Sequence, residues 1–121
     1  MKTDPATVAA AARRLVTNSD PATRFIWARA ATHLLRQALE AALDQLWAKR
    51  APGVASAPMR NQLICLPFYL PDQELAKRGV WAWYAASEAS HHQGFEMAPT
   101  SADLLAWLDV VDAVVAATEG S

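Results

Sequence analysis

From Ala22 to Arg50 the chain contains neither a proline nor a glycine. These two residues most disfavour a helix interior, so the stretch reads as one long helix begun at Pro21. The Asp20-Pro21 step suits that start, because aspartate is a favoured N-cap and proline has its φ already fixed for the first helical position. At 1.5 Å per residue the segment Pro21 to about Arg50 reaches about 45 Å, and it should be the spine of the fold. Plotted at 100° per residue, Trp27, Ala28, Ala31, Leu34, Leu35, Ala38, Leu39, Ala42 and Leu46 gather on one arc, the expected core face. Arg29, His33, Arg36, Gln37, Glu40 and Asp44 share the other, with Arg36 and Glu40 spaced to pair at i,i+4.

The remaining elements follow the same signals. Asp4-Pro5 opens an alanine-rich helix to about Val16, interrupted by Asn18-Ser19. Residues Ala51 to Pro58, with two prolines and a glycine, form a loop. Met59 to Leu66 is a short apolar run cut off at Pro67, in which Met59, Leu63 and Leu66 fit one helical face. The alternative of a strand stays open there, although a short helix is favoured. Asp72 caps a segment to about His92, in which Leu75, Gly79, Ala82, Trp83, Ala86 and Ser90 lie on one side and would let a neighbouring helix come close. Thr100 with Asp103 has capping-box spacing, and Leu104, Trp107, Leu108, Val111, Val114 and Val115 form a stripe to about Thr118, with Asp109 and Asp112 opposite. The expected fold class is all-α: a single domain, an up-and-down bundle of four main helices plus one short helix.

Composition narrows the function classes. With 53% hydrophobic and 19% charged residues the chain suits a packed core and not a disordered segment. Cys65 is the only cysteine and cannot form an internal bridge. No apolar run approaches the roughly 18 residues of a membrane span, and Met-Lys-Thr-Asp-Pro carries no h-region, so a cytoplasmic protein without membrane contact is expected. A net charge of −1 does not indicate an RNA-binding surface. The charge is unevenly spread, however. All eleven Lys and Arg lie at or before Arg78 beside six acids, whereas Gly79 onward holds six acids and no Lys or Arg, about +5 against −6. Either the halves pack against each other, or a basic face remains for phosphate or an acidic partner, or the halves meet across a dimer.

Candidate chemistry concentrates at Glu88-Ala-Ser-His-His-Gln-Gly-Phe-Glu, where His91 and His92 lie within about a helical turn of Glu88 near a helix end. Glu88 and His91 have the Glu-x-x-His spacing of di-iron bundles, so Glu88, His91 and His92 are candidate metal ligands, with His33 or Cys65 as distant additions. A second such motif and two further glutamates are missing, and a histidine at the negative end of a helix dipole explains the pair without metal. No cofactor is expected, because the glycines do not cluster into a phosphate loop or a dinucleotide fingerprint, and Cys65 reads as a small hydrophobe. Arg29 and His33 stand one turn apart and are joined by Arg36, a set able to bind phosphate and move a proton, or simply a polar face. Trp81 and Tyr84 fall with Glu88 on the side of their helix away from the small residues. They are candidate binding residues, more in keeping with a core or dimer interface than with a base-stacking platform.

The spine from Asp20-Pro-Ala-Thr-Arg, the segment Met59-Arg-Asn-Gln-Leu-Ile-Cys-Leu and the run Ala89-Ser-His-His-Gln-Gly-Phe-Glu-Met-Ala-Pro-Thr resemble a group of small, uncharacterised bacterial helical-bundle proteins. Their helix order is similar to that of the HEPN superfamily of toxin ribonucleases, phage-defence effectors and non-catalytic binding modules. That resemblance implies a homodimer, a protein partner in a toxin–antitoxin or phage-defence setting, and RNA as a further ligand class. HEPN ribonucleases carry an Arg followed by four to six residues and a His; here Arg29 and His33 have three residues between them, and no arginine stands shortly before His91 and His92. A non-catalytic binding or regulatory module is therefore the expectation. The alternative is a degenerate ribonuclease with His91 or His92 as catalytic acid/base and Arg29 or Arg36 holding phosphate.

Overall fold

A computed structural model describes residues 3–91 and 98–120. The chain is all-α, with five α-helices and no strand among the described residues: α1 (Pro5–Thr17), α2 (Arg24–Arg50), α3 (Met59–Cys65), α4 (Gln73–His91) and α5 (Ser101–Glu119). Four are long and α3 is a seven-residue piece. None is long and apolar enough to cross a membrane.

The helix starts use the capping chemistry written in the sequence. The Asp4 carboxylate accepts from the Ala6 amide with Pro5 in the first turn. Thr100 and Asp103 form the full reciprocal box, each side chain accepting the other residue's backbone N–H at 3.1 Å. The spine departs from expectation at its first turn. Pro21–Thr23 is 3-10 and the α-helix begins at Arg24, because the Asp20 carbonyl accepts the Thr23 amide three residues on and also the Trp27 indole at 2.9 Å. Two further 3-10 turns appear: Pro52–Ser56, within the segment expected as a loop, and Leu66–Phe68, which takes Leu66 out of the short helix expected from Met59. Pro67 has no N–H to donate, and the chain tightens around it instead of simply ending.

On α2 the expected core arc is buried, with Leu34 half-buried, and the buried surface is wider than that arc. Leu43 and Trp47 are fully buried, and Thr32 and Ala41 are covered. The reason is position: α2 packs against α1, α4, α5 and the Pro52–Ser56 turn, so a helix at the centre hides more than one face. Trp47 donates to Gln62 Oε1 at 2.9 Å, and Gln62 Nε2 donates to the Ala55 and Ala57 carbonyls. One buried amide thus ties the spine, α3 and the turn between them.

α4 approaches α5 through its small residues. A Cβ on Gly79 would sit 3.3 Å from Val114 Cγ2 and 3.6 Å from Leu66 Cδ2. Among the described residues, basic side chains of the first half reach α5 at two places. Arg13 of α1 bridges Asp109 at 3.0 Å and Asp112 at 2.7 Å on α5, and Lys49 at the end of α2 donates to the Thr118 carbonyl at 2.9 Å, where the last carbonyls of α5 lack helical partners. Burial is the largest single influence on Arg13 and lowers its pKa, but the hydrogen bonds and charges of Asp112 and Asp109 together outweigh it and raise the guanidinium pKa above its ordinary value.

Candidate functional site

The first turns of α2 carry a cationic cluster, and the fold places it beside the end of α4. Arg29, His33 and Arg36 line a cleft of about 230 Å³ together with Phe25 and Thr32 of the same helix, Ala89 and Ser90 of α4, and Ala98 and Pro99 ahead of α5. The three follow the helical rule that residues three and four apart share a face. No acidic side chain lines this cleft among the described residues.

Both guanidiniums rest on aromatic rings. Arg29 Cζ lies 5.5 Å from the Phe25 ring centroid, one turn back on α2, and Arg36 Cζ lies 4.9 Å from the ring of Trp83, which α4 presents from across the interface. Such stacking holds a planar cation in place at modest cost in hydrogen-bonding capacity. The Arg36–Glu40 pair expected from i,i+4 spacing is not among the ion pairs of the described residues, because the Trp83 ring offers Arg36 a partly buried resting place instead. Arg36 Nε is buried with no hydrogen-bond partner among the described residues, so that edge of the guanidinium is shielded and does not face the cleft.

The cleft also contains two hydroxyls. Thr32 donates to the Ala28 carbonyl at 2.7 Å and Ser90 to the Ala86 carbonyl at 2.9 Å, each one turn back in its own helix. Their protons are committed to the backbone, which leaves oxygen lone pairs and no hydroxyl set against a base as an activated nucleophile requires. The C-terminal end of α4 contributes roughly half an elementary charge of negative potential, less than the two guanidiniums beside it, so the net field of the cleft favours an anion. Further along α2 a wider groove of about 430 Å³, lined by Gln37, Glu40, Asp44 and neighbours, contains two carboxylates and no cationic side chain among the described residues.

The other sequence-derived candidates lie elsewhere. Trp81 and Tyr84 face outward from α4 and are 51% and 49% exposed, so they are not core and do not line the cleft. Glu88 is exposed, and His91 is exposed as the last residue of α4. His92 lies outside the described residues, so the His91/His92 acid–base pair and the Glu88, His91, His92 metal set extend beyond them. Among the described residues no three His, Cys, Asp or Glu side chains come together to hold a metal ion, and His33 and the half-buried Cys65 are on separate elements. The residues that reasoning from sequence missed are Phe25, Thr32, Ala89, Ser90, Ala98 and Pro99. Phe25 carried a signal, its i,i+4 relation to Arg29; the rest are brought in by tertiary packing. No protein-family model, no curated protein and no solved structure matches this chain.

Proposed function

We propose that the chain is a non-catalytic binding module that takes a phosphate-type anion in the Arg29–His33–Arg36 cleft. The observation that carries this reading is the set of three cationic or proton-bearing side chains on successive turns, two of them stacked on aromatic rings, around a cleft free of acids among the described residues. Arginine is the side chain best suited to paired hydrogen bonding with phosphate oxygens. A volume of about 230 Å³ accommodates a phosphate group and is below the roughly 300–1,000 Å³ of sites that enclose a drug-sized molecule. The cleft therefore suits a single phosphate group, free or carried by a larger molecule whose remainder stays outside. The engaged hydroxyls of Thr32 and Ser90 support binding over turnover. This role matches the regulatory, non-catalytic branch of the HEPN-like bacterial bundles that the chain resembles, acting in the cytoplasm alongside toxin–antitoxin or defence components.

Calorimetric titration with inorganic phosphate at low salt tests it. One site per chain is expected, weakened about tenfold or more by Arg29→Gln, since a charge-assisted bond of about 1.5–3 kcal/mol is removed from an exposed side chain. Equal affinity in the wild type and Arg29→Gln overturns the reading.

A further inference from the structure

The exposed side of α4 carries a second pattern that the cleft does not use. Glu74, Lys77, Trp81, Tyr84, Glu88 and His91 are all exposed and recur at alternating spacings of three and four, the register in which two helices meet along a seam, here with aromatics at the two central positions and polar side chains at the four outer ones. They occupy an arc of about 100° at 100° per residue, while Ala76, Gly79, Ala82, Trp83 and Ala86 on the opposite arc are buried against the bundle. The seam therefore points away from the protein's own core, with two half-exposed aromatics at its centre.

The order of charges along this seam identifies what covers it. When the helix is laid antiparallel on a second copy of itself, with the twofold axis between Ala82 and Trp83, each seam residue meets the one equidistant from the axis. Trp81 then opposes Tyr84 of the other copy, Lys77 opposes Glu88, and Glu74 opposes His91. Both aromatic layers stack, both inner charged layers pair opposite signs, and the outer layers place an acid against a histidine. A parallel pairing instead sets Lys77 on Lys77 and Glu88 on Glu88. A seam that is complementary to itself only in the antiparallel sense fits the isologous contact of a C2 dimer.

We infer that α4 is a homodimerisation surface, with two copies of the chain paired antiparallel through Trp81 and Tyr84. Tryptophan and tyrosine are the side chains that most often dominate binding energy at the centre of an interface. The Lys77–Glu74 contact at 3.7 Å within one chain is a wide, solvent-exposed pair worth at most about 1 kcal/mol, so it does not hold Lys77 back from a partner. A single helical seam of six residues buries an area at or below the roughly 1,200 Å² that marks the low end for specific complexes, and the dimer is accordingly a reversible one. The Arg29–His33–Arg36 cleft has no residue on this seam, so the two functions are separable.

Sedimentation velocity of the full chain over a concentration range from about 1 to about 200 µM, spanning the affinities expected of so small a contact, gives the test. A monomer–dimer equilibrium is expected. Trp81→Ala weakens it by about tenfold or more, the loss of a central aromatic anchor. Lys77→Glu weakens it too, and Lys77→Glu combined with Glu88→Lys restores it, because the double exchange rebuilds both charged layers in the antiparallel register alone. Circular dichroism of each variant shows that helix content is kept, as exposed positions allow. A wild-type monomer throughout the range overturns the inference, as does a dimer that Trp81→Ala leaves unchanged, or a double exchange no stronger than Lys77→Glu.

Discussion

Gln62 carries more of the structure than its neighbours suggest. Its side-chain oxygen takes the Trp47 indole proton inside the core, and its amide nitrogen holds the Ala55 and Ala57 carbonyls. Gln62→Leu keeps a comparable volume but orphans the indole and releases the turn, so chemical denaturation is expected to show a loss of about 1–3 kcal/mol. Arg13 offers a contrast. It makes two short bridges, yet its side chain is 34% exposed and the Asp109 side chain 74%, so Arg13→Ala should cost no more than about 1 kcal/mol, with a difference that shrinks as salt is raised. Arg36 shows a limit of reading along one helix. Spacing offered Glu40 as its partner, whereas Trp83, forty-seven positions on, takes it instead. Local rules count neighbours on the same helix and carry no information about a ring arriving from another.

Among the elements, the contact between α4 and α5 is the most demanding of a single side chain. Gly79→Leu places a side chain where even a Cβ stands 3.3 Å from Val114, and overpacking of about 1–3 kcal/mol is expected on top of any gain in helix propensity. Thr100→Ala removes half of the box that starts α5 and should cost about 1 kcal/mol, read from the shift in denaturation midpoint. The long helices were legible because their signals are local: Asp4-Pro5, Thr100 with Asp103, and apolar residues at three- and four-residue spacing. The 3-10 turns at Pro21–Thr23, Pro52–Ser56 and Leu66–Phe68 were not. They depend on which carbonyl a given amide finds, as at Asp20, whose carbonyl is shared between a backbone amide and an indole. The wider burial of α2 was hidden for a related reason: an amphipathic pattern predicts one covered face, and Leu43 and Trp47 are covered by the elements packed around the spine.

For the molecule as a whole, the uneven charge resolves into separate local arrangements. Arg13 and Lys49 are spent on α5, while Arg29 and Arg36 stay around a cleft with no described acid in its lining. The cationic members of this candidate site were visible in the sequence as residues one turn apart. Its walls were not, since Ala89, Ser90, Ala98 and Pro99 reach it only through the docking of α4 and the segment ahead of α5. Phosphate binding at Arg29, His33 and Arg36 is the proposal on which the functional reading stands. The most direct measurement is a two-dimensional amide NMR titration of the intact chain with inorganic phosphate. Saturable shifts centred on Arg29 to Arg36 and on Ala89 and Ser90 are expected, reached only at about tenfold or more higher phosphate in Arg29→Gln. Shifts centred elsewhere, or the same shifts at the same phosphate concentration in the variant, would contradict the proposal.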